Sequence, residues 1–256
     1  MFRKYTYIKR DPVHSFTSIE EILFTKPLYT SYSLSKYLPP VINQGELGSC
    51  TACSLICALD IIQRVKKYKK IKKYSILFLY YIERKEYGTE NDDSGSSLST
   101  GMDCLQKTGV CQNKYWPYNI LKYKIKPPKI CYTNALKYRI SNNIVQVPND
   151  VENIKKLLHN KYPIVIGIMV YSSFEENTVS ETGIITYPNK LEEEILGGHA
   201  MCIYGYDDIN QYFILRNSWG LNWGDQGNCY LPYQYATDTE LTLEMWAITS
   251  FKNLIK

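Results

Sequence analysis

Apolar residues change their period part-way along this chain. Between residues 50 and 65 they recur at Leu55, Ile56, Leu59, Ile62 and Val65, close to helical spacing. The positions between them are largely apolar too, which predicts a helix buried on most sides. Further helical segments are expected over 76–87 and 99–108, the latter stopped by Gly109. Beyond about residue 140 the pattern turns to short runs rich in β-branched and aromatic residues. Segments 144–147, 164–170, 200–206, 212–216, 228–231 and 244–249 read as strands. One helix interrupts them, with Asp150 as its N-cap and Leu158 near its end. Helices first and strands later predict an α+β chain of two lobes, with the 50–65 helix on one side of a seam. Residues 1–36 carry no sustained period and read as an extension of mixed character. Pro39-Pro40 then opens an extended entry into Val41-Ile42-Asn43-Gln44. The run Asn91-Asp92-Asp93-Ser94-Gly95-Ser96-Ser97 is turn-rich, and no internal repeat is visible.

Composition narrows the class without naming a function. A chain of 256 residues, 45% hydrophobic and 21% charged, forms one large domain or two small ones with a real core. The net charge of +5 is too mild to argue for a nucleic-acid partner. The lysine run over 66–73 reads as a solvated helix end rather than a nucleic-acid or lipid site. The basic start is followed by no continuous apolar stretch, so neither a secretory signal nor a membrane span is expected. That points to a cytoplasmic or otherwise intracellular setting, in which the eight cysteines stay reduced.

The chemistry concentrates in Gln44-Gly45-Glu46-Leu47-Gly48-Ser49-Cys50-Thr51-Ala52-Cys53. Cys50 falls at a helix start, where unpaired N–H groups and the positive end of the helix dipole favour thiolate, the nucleophilic form. Gln44 could offer an amide donor to a developing oxyanion. Of three histidines, His14 lies in the extension, and His159 ends an amphipathic helix in a solvated or C-capping role. His199 begins an apolar strand after Gly197-Gly198, and Asn217 follows at the end of the next strand. A hairpin around 207–210 would bring the two together, so that an Asn carbonyl orients the ring and Trp219 shields the bond from water. Rival readings are weaker. Cys50-Thr51-Ala52-Cys53 is also a Cys-x-x-Cys motif, but a thiol oxidoreductase has no use for His199, Asn217 and Gln44. Cys53 and Cys57 read as small apolar residues on a buried helix, and Cys104 and Cys111 lack a second pair for zinc.

Four ordered blocks carry a resemblance: Gln44-Gly45 with Gly48-Ser49-Cys50, then Gly198-His199-Ala200, then Asn217-Ser218-Trp219-Gly220, then Trp223-Gly224. Over residues 38–250 the chain resembles the papain-like cysteine proteases. The resemblance implies an α+β fold of two lobes with the active-site cleft between them. A helical left lobe would span about 45–140 and an antiparallel, β-barrel-like right lobe about 141–250. Both would lie in a peptidase domain over 37–256, preceded by the 1–36 extension. It implies a cysteine endopeptidase in which Cys50 is the nucleophile, His199 its base, Asn217 the orienting group and Gln44 the oxyanion donor. Cleavage would pass through a thioester acyl-enzyme, with no metal or organic cofactor. Polypeptides are the implied substrates, neither nucleic acid nor membrane is expected as a partner, and the chain is expected to be a monomer. Gly95 and Ser96 would pair with extended substrate, with Gly198 and Trp219 also lining the cleft. Glu244 would line the pocket for the second residue before the scissile bond and favour a basic side chain there. Two positions depart from the pattern: Leu47 replaces a disulfide cysteine, and Thr51 replaces a tryptophan, leaving a smaller apolar contact beside the sulfur. The extension is far shorter than the family's inhibitory pro-region, and two readings of it stand: an arm that crosses the cleft and partly occludes it, or an arm that is solvated or packed on a lobe. A catalytically silent papain-like binding module remains as an alternative, although such relatives normally lose the cysteine or the histidine. Exopeptidase action would need a paired-histidine loop that this chain lacks.

Overall fold

Three serine or aspartate N-caps start the principal surface-to-core helices, and their hydroxyl or carboxylate oxygens accept amides that the first turn cannot satisfy itself. Ser75 accepts from Phe78 N at 3.0 Å, Ser97 from Thr100 N at 3.1 Å, and Asp150 from the amides of Glu152 and Asn153. The structure, a computed structural model of the chain, describes residues 4–10, 28–140 and 144–249. His14 and most of the early extension lie outside the described residues.

After β1 (Ser31–Ser33), the chain forms α1 (Cys50–Val65), α2 (Ile76–Lys85), α3 (Leu98–Lys107) and α4 (Lys129–Ala135). It continues with β2 (Ile144–Gln146), α5 (Val151–His159), β3 (Ile164–Tyr171) and α6 (Asn177–Thr182). It ends with β4 (Ile195–Asp207), β5 (Tyr212–Arg216), β6 (Asn228–Pro232), α7 (Tyr233–Thr237) and β7 (Thr242–Ile248). The strands form one antiparallel sheet in the order β2-β7-β3-β4-β5-β6, with β1 paired to the far half of β4. Its thirteen residues let β4 serve two neighbours on one edge: β3 pairs up to Ile203, and β1 takes over from Gly205 to Asp207. The sheet path has two ends among the described residues, so it is open rather than closed into a barrel.

Helix α1 is buried along nearly all of its length, as its apolar sequence predicts, because helices pack on one side of it and the sheet on the other. It touches α2 and α3 and lies across β4, so a single apolar core runs from the helices into β3, β4 and β7. The short elements β1, α4, α6 and α7 carry no pattern long enough to predict, and β4 begins five residues before the expected 200. In that early part, Gly197 and Gly198 supply no side chain from which a strand can be read.

Candidate active site

Cys50 is the first residue of α1, and the helix start is left open for it. Ser49 makes no side-chain cap; its hydroxyl lies 2.8 Å from that of Tyr118 instead. The backbone groups of Ala200, the neighbour of His199, and of Thr51 and Cys50 each favour the thiolate form of Cys50. Gln44 is anchored at both ends of its amide. The Ser218 hydroxyl donates to Oε1 at 2.5 Å, and Nε2 donates to Leu47 O at 2.8 Å. With Oε1 occupied by a donor, the amide has one orientation, and Nε2 keeps a second hydrogen for a ligand. The chain entering Gln44 is pinned to the Asn217 loop, since Gln44 N donates to Ser218 O at 2.9 Å.

His199 lies on β4, opposite Ile168 of β3, and is fully buried. Its Nε2 sits 2.8 Å from Asn217 Oδ1, which also accepts the Ser218 amide at 2.8 Å. Two donors on one oxygen fix the Asn217 amide, make Nε2 the protonated nitrogen, and leave Nδ1 as the ring's basic atom. The indole of Trp219 stacks on the imidazole with centroids 4.6 Å apart, and Trp223 and Phe174 back it. The β4–β5 hairpin thus brings His199 and Asn217 together as expected. His159 does not take the expected solvated or capping role. It packs against the rings of Tyr29, Tyr32 and Tyr206, with Nε2 3.0 Å from the Tyr206 hydroxyl. Burial lowers its basicity.

Residues 4–10 lie against these groups. Tyr7 N donates to Gly198 O at 3.1 Å, and Ile8 N to Ser96 O at 2.9 Å, so the segment bridges two of the expected substrate-pairing carbonyls. The Tyr5 ring meets His199 and Trp219 edge-on at 6.2 and 6.0 Å. Thr6 donates to Gly48 O, and its carbonyl presses on Gly95, whose φ of +72° and crowded face suit only glycine. The Tyr7 hydroxyl donates to Glu244, and Lys4 pairs with Asp93 at 2.8 Å. Under this cover Cys50 has no exposed surface. Burial pushes its thiol up to about 12, outweighing the backbone amides that pull it down. Burial in this covered state therefore opposes the thiolate expected at a helix start.

The sequence pattern of the papain family cysteine proteases matches residues 30–250. The chain belongs to the papain family of cysteine proteases. It is 37% identical over 214 residues to a peptidase C1-like protein of Acanthamoeba polyphaga mimivirus, a match covering 81% of this chain and 68% of that one. Peptidase 1 of the mite Dermatophagoides farinae is 29% identical over 196 residues, covering 75% of this chain but 56% of the mite protein. Among solved structures, the cysteine protease xylellain from Xylella fastidiosa matches with a TM-score of 0.83 and 33% identity over 97% of both chains. As a member of this family, the chain is a cysteine peptidase, a hydrolase with polypeptide substrates.

Several residues of this papain-family site escaped the sequence reading. Thr51 is not merely a smaller apolar contact: its hydroxyl lies 2.7 Å from the buried Glu83 of α2. Asp93 accepts from Gly48 N at 3.0 Å and from the Tyr80 hydroxyl at 2.5 Å, tying the loop before Cys50 to α2. Gly95 N donates in turn to the Tyr80 hydroxyl at 3.2 Å. Arg84 is wholly buried and donates to the carbonyls of Glu90, Asp92 and Tyr123, holding the 89–95 loop from beneath. A Glu-Arg pair inside an apolar helix was the available signal, since charges there are rarely buried without partners. Cys53 is buried as expected, and desolvation pushes its thiol strongly up, unlike a redox-active partner. All eight cysteines are free thiols, and no cluster able to hold a metal appears among the described residues.

Proposed function

We propose that this chain is a cysteine endopeptidase acting through Cys50, His199 and Asn217. The observation that carries the reading is the 2.8 Å contact of His199 Nε2 with Asn217 Oδ1, formed beside the helix start that bears Cys50. That contact directs Nδ1 to proton transfer. The Cys50 thiol gives its proton to Nδ1, and the sulfur attacks a peptide carbonyl. The second Nε2 hydrogen of Gln44 and the Cys50 amide receive the oxyanion. The imidazolium then protonates the leaving amine, and water, activated by the same nitrogen, hydrolyses the thioester. Labelling of Cys50 by an E-64-type epoxide, together with loss of peptide cleavage in Cys50→Ala, tests this. An intact Cys50 that neither labels nor supports turnover would instead favour the silent binding module.

Residues 4–10 act, in this reading, as a built-in cover. Backbone pairing to Ser96 and Gly198 uses the carbonyls a substrate would need, and the buried thiol stays protonated. Displacing the segment rehydrates Cys50 and returns it to the influence of its helix start. Unchanged peptidase activity and substrate affinity after deletion of residues 1–30 would exclude this role.

A further inference from the structure

Charge is spread unevenly along this chain, and the net value of +5 conceals it. The 46 residues between Asp103 and Asp150 hold eight Lys or Arg and no carboxylate side chain, so the rest of the chain is net acidic. All eight are exposed. Helix α4 turns Cys131, Asn134 and Ala135 inward, which leaves Lys129, Ile130, Leu136 and Lys137 exposed. The turn before it exposes Leu121, Lys122, Lys124, Ile125 and Lys126. Both lean on the strip over 111–116. Asn134 Oδ1 accepts from Gln112 N at 2.9 Å, and Lys122 Nζ lies 5.6 Å from the ring of Trp116. The other edge of that strip meets the lysine run, since Asn113 N donates to Lys73 O at 2.8 Å. Alone, residues 66–73 read as a solvated helix end; the fold makes them the border of a wider basic face.

Four aliphatic side chains stand among these lysines. Leu121 is 89% exposed, and Ile125, Ile130 and Leu136 are each about half exposed. Single exposed aliphatics are ordinary, but aliphatics interleaved with lysines suit a surface that lies in a headgroup layer. The ammonium groups meet lipid phosphates while the aliphatic groups enter the boundary beneath them. Nucleic acid fits less well. A single strand needs open rings to stack on, but Tyr115, Tyr123, Tyr132 and Tyr138 are half-buried against the core. Bidentate reading of phosphates and bases favours Arg, and Arg139 is the one Arg among the eight. We propose that residues 121–137, bordered by the 66–73 run, form a docking face for an anionic lipid membrane, with Leu121 and Ile125 seated in the headgroup layer. None of these side chains belongs to the Cys50 site, so the face stands apart from the peptidase reading.

The test is co-sedimentation of the full chain with phosphatidylcholine vesicles, with and without phosphatidylserine, at rising NaCl. Phosphatidylserine is expected to strengthen binding by about tenfold or more, and salt to weaken it. Each lysine near such a surface is worth about fivefold, so Lys124→Glu with Lys126→Glu should weaken binding by about thirtyfold or more. Lys36→Glu with Lys161→Glu makes the same change in net charge at exposed sites beside β1 and α5, and should weaken it far less. Leu121→Trp disturbs little packing at so exposed a site, and brominated lipid should quench its added emission. Thermal melting checks that each variant folds. Equal binding to both kinds of vesicle, equal loss in the two charge-reversed pairs, or an unquenched emission overturns the membrane face. Tighter retention by a single-stranded oligonucleotide than by the vesicles makes it a nucleic-acid site and overturns it too.

Discussion

Glu83 is a wholly buried carboxyl close to the reactive thiol, with Oε2 against the Thr51 hydroxyl and Oε1 without a hydrogen-bond partner. Burial pushes its pKa from 4.5 up to about 8, so it is largely neutral near pH 7. A carboxyl that binds its proton more tightly in the fold stabilises fully below its unfolded pKa. That contribution is lost as pH rises toward the folded value. The fold should therefore weaken between about pH 4.5 and 8 on Glu83's account, by an amount on the order of a few kcal/mol. Glu83→Gln keeps the shape without the proton and should flatten that slope in denaturant titrations run across the window. Asp60, pushed up to about 7 by burial, should leave a residual slope of its own. A neutral Glu83 also spares Cys50 a neighbouring negative charge, which would oppose thiolate formation. Asn217 acts at the same scale on His199. Asn217→Ala frees the ring to rotate and should lower kcat by about 10²-fold with little change in KM, as a misoriented base would.

Two stretches of backbone act as units around the cleft. If residues 4–10 act as the proposed cover, their removal should bring the buried Cys50 thiol back toward its ordinary range. Deleting residues 1–10 should speed alkylation of Cys50 by iodoacetamide at pH 8 by about tenfold or more, since rate follows thiolate fraction. An unchanged rate-against-pH curve would mean that the segment does not control the sulfur. The second unit is the loop over 89–95, which Arg84 supports through the carbonyls of Glu90 and Asp92 while also holding that of Tyr123, and which Tyr80 joins through Asp93. Arg84→Leu strips those carbonyls of their buried donor and should cost about 3 kcal/mol or more, read as a lower denaturation midpoint. Because the loop presents Ser96, KM should rise with it. Helix and strand ends are set by simpler means: Asp150 caps α5 with two amides, as its position before an amphipathic run predicts.

Across the whole molecule, the cleft chemistry depends on one helix being trapped between other helices and an open sheet. All eight cysteines are buried, Cys50 included. In the native full chain, Ellman's reagent should react slowly with all eight thiols, all eight should titrate after unfolding, and deletion of residues 1–10 should add one fast native thiol. Much of this was legible in the chain: the helix after Cys50, those expected over 76–87 and 99–108 and found at Ile76–Lys85 and Leu98–Lys107, the major strands, and the candidate set Gln44, Cys50, His199 and Asn217. Those rest on local periodicity and on residue types that few other roles explain. The pairing of His199 with Asn217 was also legible, because a short antiparallel hairpin leaves few ways to arrange its ends. What stayed hidden depends on contacts between residues far apart in the chain. No local pattern tells that Tyr7 reaches Glu244 or that Thr51 meets Glu83. Nor could a helix-start argument foresee the desolvation of Cys50, because burial under another segment is a property of the folded surface. Sequence determined which reactive groups exist and which helices and strands carry them; tertiary packing decided what covers them, and through desolvation, which charge state they hold.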